Sequence, residues 1–130
     1  MKKCALVLFL SLGLIQSVFA YDTAKLHVAV TGSVIQKSNY FLCLPGNVGC
    51  VNLRASKARQ SFPIDTGKVD SIFTANMNTY KMYTQTMPAS CQVDLKKDQT
   101  LTVSGQLVVK GNPNSGNSSA YINNLHCTVA

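Results

Sequence analysis

Two stretches of the chain alternate apolar and polar side chains with a period of two. Over residues 25–36, Leu26, Val28 and Val30 fall on one side and His27, Ala29 and Thr31 on the other, until Gly32-Ser33 interrupts the pattern ahead of Val34 and Ile35. Over residues 99–110, Leu101, Val103, Leu107 and Val109 share a face opposite Thr100, Thr102, Ser104 and Gln106, with Gly105 at an inward position. An extended backbone sends successive side chains to opposite faces, so both stretches predict long, half-buried strands, the first bulged at Gly32-Ser33.

Shorter pieces repeat this grammar. Residues 39–44 and 51–54 flank Leu44-Pro45-Gly46-Asn47-Val48-Gly49, whose Pro-Gly turns the chain back, and predict a hairpin. Residues 91–95 alternate and turn through Lys96-Lys97-Asp98 into the strand at 99–110, and residues 111–119 form a polar loop. Residues 120–129 close the chain as a strand with Leu125, Cys127 and Val129 in phase. Residues 67–87 carry an apolar set (Val69, Ile72, Phe73, Met77, Tyr80, Tyr83) that fits a helical stripe, but the intervening Thr and Asn are poor helix formers. Two strands, at 69–75 and 79–86 with a turn at Asn76-Met77-Asn78, suit that composition better. The predicted fold is all-β: a small, disulfide-bonded, antiparallel β-sandwich, immunoglobulin-like or related, of about seven to eight strands. The core tryptophan of true immunoglobulin domains is missing, because the chain has no Trp.

The start of the chain is of another kind. Lys2 and Lys3 precede the apolar run 5–15, and Val18-Phe19-Ala20 places small residues where a signal peptidase reads, so residues 1–20 are expected to be a secretory signal of bacterial type. The run is too short, and too interrupted by Ser11, Gly13 and Gln16, to span a membrane. Cleavage after Ala20 leaves residues 21–130, expected to form one β-sandwich domain in the periplasm or outside the cell. The charge of +7 becomes +5 when Lys2 and Lys3 leave, and the five acidic residues are all Asp.

Four cysteines remain: Cys43, Cys50, Cys91 and Cys127. In an exported chain they predict disulfides, and neither their spacing nor that of the two histidines suits a metal. Cys43–Cys50 closes the Pro-Gly turn, leaving Cys91–Cys127. In the chain-entropy account the two bridges contribute about 2.5 and about 3.8 kcal/mol. A flat meander of 91–95, 99–110 and 120–129 would hold Cys91 and Cys127 about 10 Å apart, so their bridge points to two packed layers.

Candidate chemistry is sparse. There is no Gly-x-Ser-x-Gly, no Glu for a glycosidase pair, no phosphate-binding glycine loop and no free thiol in the mature chain, so no cofactor or metal is expected. His27 and His126 are the only histidines; paired across the first and last strands, with Lys25 or Lys110 as the cation, they would make a ribonuclease-like acid–base set. On flat outward strand positions they are more simply surface residues, and Asp65 and Asp70 are solvated loop residues. The basic segment Arg54, Lys57 and Arg59, with Lys68 further on, could hold an anionic partner. It lacks interleaved aromatics, which disfavours nucleic acid. The tethered tip, with Leu44, Pro45, Asn47 and Val48, could present a preorganised surface, as a protease-inhibitor loop does. Tyr80, Met82 and Tyr83 would add a contact patch where they are not core. The leading expectation is a non-enzymatic module that binds a protein or anionic glycan surface through 44–49 and 54–59. A two-histidine hydrolase and an inhibitor-like protein are the alternatives.

Overall fold

The computed structural model describes residues 22–35, 39–46, 49–54 and 61–130. The expected signal segment, Asn47, Val48, Lys57 and Arg59 lie outside the described residues. Among the described residues ten strands are formed: β1 (Thr23–Thr31), β2 (Tyr40–Leu44), β3 (Gly49–Asn52), β4 (Ser61–Asp65), β5 (Gly67–Lys68), β6 (Phe73–Asn76), β7 (Lys81–Thr84), β8 (Asp94–Leu95), β9 (Thr100–Lys110) and β10 (Ser119–Val129). One sheet has the order β10-β9-β1-β4 and the other β3-β2-β6-β7, with β5 and β8 as a separate ribbon. The two sheets share one core, in which Leu26, Leu42, Leu53, Ile72 and Leu101 are fully buried. This is a small, disulfide-bonded β-sandwich.

Several expectations are corrected. The sandwich is not wholly antiparallel: β1 lies parallel to β9, in register Leu26↔Leu101 and Val28↔Val103. Alternation says which face a residue takes but not which strand lies beside it, and this pairing joins segments some 75 residues apart in the chain. Strand β4 appears where no strand was expected: Phe62 and Ile64 alternate with Ser61, Pro63 and Asp65, but the run is short and carries a proline. It is tolerated there since β4 is an edge strand that pairs only with β1. Strand β1 stops at Thr31, and Val34 and Ile35 belong to a turn. The 67–87 stretch does form two paired strands, β6 and β7, though shorter than expected and with a longer turn between them. Cys91 sits on a single 3-10 turn, Ala89–Cys91, and of the expected strand 91–95 only Asp94–Leu95 is extended, against β5.

The longest strand pair carries an irregularity that decides which way His126 faces. Between Asn123↔Gln106 and His126↔Ser104 two residues of β10 oppose one of β9, a bulge. Asn124 takes φ 56°, a left-handed conformation that Asn accepts more readily than most residues. Gly105 lies opposite, at φ 147°; a Cβ there would collide with the Ile122 side chain and come within 2.9 Å of the Asn123 carbonyl. Without the bulge, the inward phase of Ala120 and Ile122 would continue to Asn124 and His126. With it, Cys127 turns inward and His126 outward.

The open side between the two sheets is closed by the chain that leaves β7. Buried Gln85 donates its Nε2 to Thr74 Oγ1 and to the Tyr83 carbonyl, while its Oε1 accepts the Ile122 N–H at 2.7 Å. Ser90 Oγ accepts the Cys127 N–H, and the Cys91–Cys127 disulfide fastens the 3-10 turn to β10. Two outward-pointing N–H groups of an 11-residue edge strand are thereby satisfied by side chains instead of another strand.

Candidate functional site

Chain direction gives the sandwich two distinct ends. β1 and β9 run parallel, so Thr31 and Lys110 finish at the same end, where β10 begins. The β6–β7 turn joins them there, because Asn76 Nδ2 donates to the Pro113 carbonyl, Asn78 Nδ2 to Asn114 Oδ1, and Tyr83 Oη to the Ser118 carbonyl. Lys81 Nζ donates to the Gly116 carbonyl. Asn39 and Arg54 complete this far end through the Asn52–Asn39 side-chain bond and the Leu53 N–H to the Tyr40 carbonyl. The opposite, terminal end holds Asp22 and Ala130, the β2–β3 tip and the β5–β8 ribbon.

Of the two expected binding segments, the described residues Leu44, Pro45 and Arg54 do not come together. Leu44 and Pro45 lie at one end of β3 and Arg54 beyond the other, four strand residues apart, or roughly 13 Å or more of extended chain. Leu44, offered as a contact residue, is corrected outright: it is fully buried in the core. Pro45 is exposed. The hairpin is clamped by Cys43–Cys50, which are direct cross-strand partners with a Cα separation of 4.0 Å. Arg54 is exposed, its N–H donated to Asn52 Oδ1.

His27 and His126 share the outer face of the first sheet, but the first and last strands are not neighbours as the two-histidine arrangement required. β9 runs between them, His27 beside Thr102 and His126 beside Ser104. Two strand spacings sideways and two residues lengthwise put their Cα atoms about 12 Å apart. Their surroundings on this face are hydroxyls: Ser61 beside His27, and Ser104 Oγ donating to the His126 carbonyl. Among the described residues no group of three or more His, Cys, Asp or Glu could hold a metal ion.

The two ends differ in charge, a difference that no local stretch of the sequence carries. Asp22 and Asp65 flank the β1–β4 start, Asp98 follows through its N–H to the Thr23 carbonyl, and Asp70 and Asp94 accompany the β5–β8 ribbon. These are all five acidic residues of the chain, and all are at the terminal end with Lys25, Lys68, Lys96 and Lys97. Two of these lysines are paired: Lys96 with Asp94 at 2.9 Å and Lys68 with Asp70 at 3.9 Å. The far end has Arg54, Lys81 and Lys110 and no acidic residue. Lys110 lies over the Tyr121 ring, 5.7 Å from its centroid, and interaction with that phenol raises the lysine pKa above its ordinary value.

The far end also holds three of the four exposed large apolar side chains among the described residues, the fourth being Val129 at the terminal end. Tyr80 is 83% exposed, Met82 63% and Met77 42%, all on or beside the β6–β7 turn, while Tyr83 packs partly inward with its hydroxyl at Ser118. Beneath the turn Tyr40 is buried and its hydroxyl makes no hydrogen bond of ordinary geometry. Burial, then the neighbouring Tyr83 phenol, push its pKa up, and the Asn76 amide offsets part of this. The local signal for the tip was the Asn-Met-Asn turn. The acid-free end had none, because its definition needs five aspartates scattered from 22 to 98 to be gathered elsewhere. The chain matches no protein-family model, no curated protein and no solved structure.

Proposed function

We propose that the protein is an exported, non-enzymatic binding module that recognises an anionic surface, of a protein or a glycan, through the far end of its sandwich. One observation carries this reading: every carboxylate of the chain lies at the terminal end, leaving Arg54, Lys81 and Lys110 unopposed at the other. Opposite charges interleaved over a surface cancel within a Debye length of about 8 Å, whereas segregated charges leave one end with a uniform field. Such a field steers and orients an anionic partner. Leu44 and Pro45 of the β2–β3 hairpin lie toward the other end, and Leu44 serves the core. The two-histidine hydrolase gains no support from strands that keep the imidazoles on a flat face with β9 between them.

The test is retention on a sulfated-polysaccharide column. Replacing Arg54, Lys81 and Lys110 together by Ser is expected to lower the eluting salt concentration sharply. Replacing Lys68, Lys96 and Lys97, which changes the net charge equally, is expected to lower it little. Equal losses in the two triple variants would reduce the retention to net charge and sink the assignment to the far end.

A further inference from the structure

Resting on that assignment, we propose that the β6–β7 tip is a sugar-stacking platform and that the ligand of the far end is an acidic oligosaccharide, carrying carboxylate or sulfate. The platform is built on Tyr80. Its φ of 57° is a conformation that glycine adopts freely and a bulky side chain does not, yet the position holds a tyrosine whose ring stands 83% exposed. An aromatic side chain kept in a strained conformation and turned away from the core contributes nothing to packing. It presents a flat face to solvent.

The platform is also held still. Asn76, Asn78, Lys81 and Tyr83, which bracket the turn, are each hydrogen-bonded to the loop at 113–118 from the other sheet. A ligand therefore meets a preformed surface, with little ordering left to do on binding. The negative face of the Tyr80 ring suits the polarised C–H groups on the apolar face of a pyranose, and the exposed amides of Asn114 and Asn117 stand ready for its hydroxyls. Lys81, next in sequence, and the acid-free surroundings supply the attraction for carboxylate or sulfate.

Scale decides between sugar and protein. A stable protein interface takes about 800 Å² from each partner around an apolar centre. Here three apolar side chains sit at a turn whose remaining surface is polar, from Asn78, Thr79, Lys81 and the Asn, Ser and Gly residues of 114–117, which matches a few sugar units. A single ring also lacks the succession of aromatics on which nucleic acid bases stack.

The experiment uses the full chain and compares titrations with a uronic-acid hexasaccharide, a sulfated hexasaccharide, a neutral hexasaccharide, linear polyphosphate and a hexathymidylate. The expected result is saturable binding of one or both acidic saccharides and much weaker binding of the neutral one. Tyr80→Ala should weaken acidic-saccharide binding about tenfold, as loss of one stacked ring does, and leave polyphosphate binding within about twofold. Tyr80→Phe keeps the ring and should keep the affinity. Polyphosphate and acidic saccharides bound alike, with Tyr80→Ala changing neither, would overturn the sugar platform while leaving the anion-binding end in place. Tighter binding of hexathymidylate with the same dependence on Tyr80 would replace the saccharide by single-stranded nucleic acid. Failure of every polyanion to bind would overturn the underlying assignment itself.

Discussion

The second sheet contains two hairpins, and they are held in opposite ways. The β2–β3 hairpin is clamped within itself by Cys43–Cys50, and its apolar residues, Leu42 and Leu44, are spent in the core. The β6–β7 hairpin has no covalent clamp. Its tip is braced from outside, by hydrogen bonds from Asn76, Asn78, Lys81 and Tyr83 to the loop between β9 and β10, and its large side chains face solvent. A disulfide constrains the unfolded chain and asks little of the surroundings, so the first hairpin is tied independently of the other sheet. Polar bracing exists only in the assembled sandwich, so the second hairpin acquires its shape together with the fold, and that shape leaves side chains free for contact.

The strongest way to break this contrast is at Asn76, a fully buried side chain that donates to the Pro113 carbonyl and accepts the Asn78 N–H. Asn76→Ala is expected to cost about 3 kcal/mol, from two lost bonds of a buried group and the space it leaves. Hydrogen exchange should show the loss concentrated at residues 77–80 and 111–118. Protection lost uniformly instead would mean that the bracing is not local to the tip.

Next is the covalent clamp. Cys43→Ala with Cys50→Ala is expected to lower stability by up to about 2.5 kcal/mol in chemical denaturation. Binding at the far end should be unchanged, because this hairpin's tip lies at the other end of the sandwich. A coupled loss of binding would show that the two hairpins are not independent.

Tyr80→Gly works in the other direction. Releasing a left-handed conformation from a residue with a Cβ should stabilise the protein by about 1 kcal/mol, seen as a raised Tm, while removing the ring on which saccharide binding depends. A variant that is more stable and binds less is the signature of strain kept for contact. No gain in stability would mean the turn carries no such strain.

The smallest effect is expected at Tyr40→Phe. The hydroxyl removed is buried and makes no hydrogen bond of ordinary geometry, so stability near neutral pH should change little. The difference appears in alkali. Because the phenol is raised in the fold above its ordinary value of 10.0, the unfolded chain loses its proton first. The stability tied to the protonated phenol is fully present below pH 10 and is lost as pH climbs through the folded-state value. Tyr40→Phe should lack that part of the alkaline decline, and identical pH profiles for the two proteins would contradict the raised pKa.

Much of the scaffold was legible in the residues. Leu26-His-Val-Ala-Val30 and Leu101-Thr-Val103 announced strands, and Pro45-Gly46 between two cysteines announced a clamped hairpin. The Thr and Asn content of 67–87 decided for strands over a helix. Strand β4 is too short to stand out in the sequence, and its Pro63 is compatible with a strand because β4 lies at the sheet edge. A leucine beside a turn, such as Leu44, carries no local sign of burial until the facing sheet is in place, and the aspartates are too scattered along the chain, from 22 to 98, for any local stretch to show that they share one end.

The sequence by itself determined the all-β class, the pairing of the cysteines and the inward phase of most strands, because alternation, turn residues and loop closure act over a few residues. Only the tertiary structure decided that β1 lies parallel to β9, that a bulge at Asn124 shifts the phase of β10 between Ile122 and Cys127, and that five aspartates gather at one end. Each of these depends on which distant segments become neighbours. Strand pairing is chosen by the whole core at once, and so the charge pattern that distinguishes the two ends emerges only after the chain has folded.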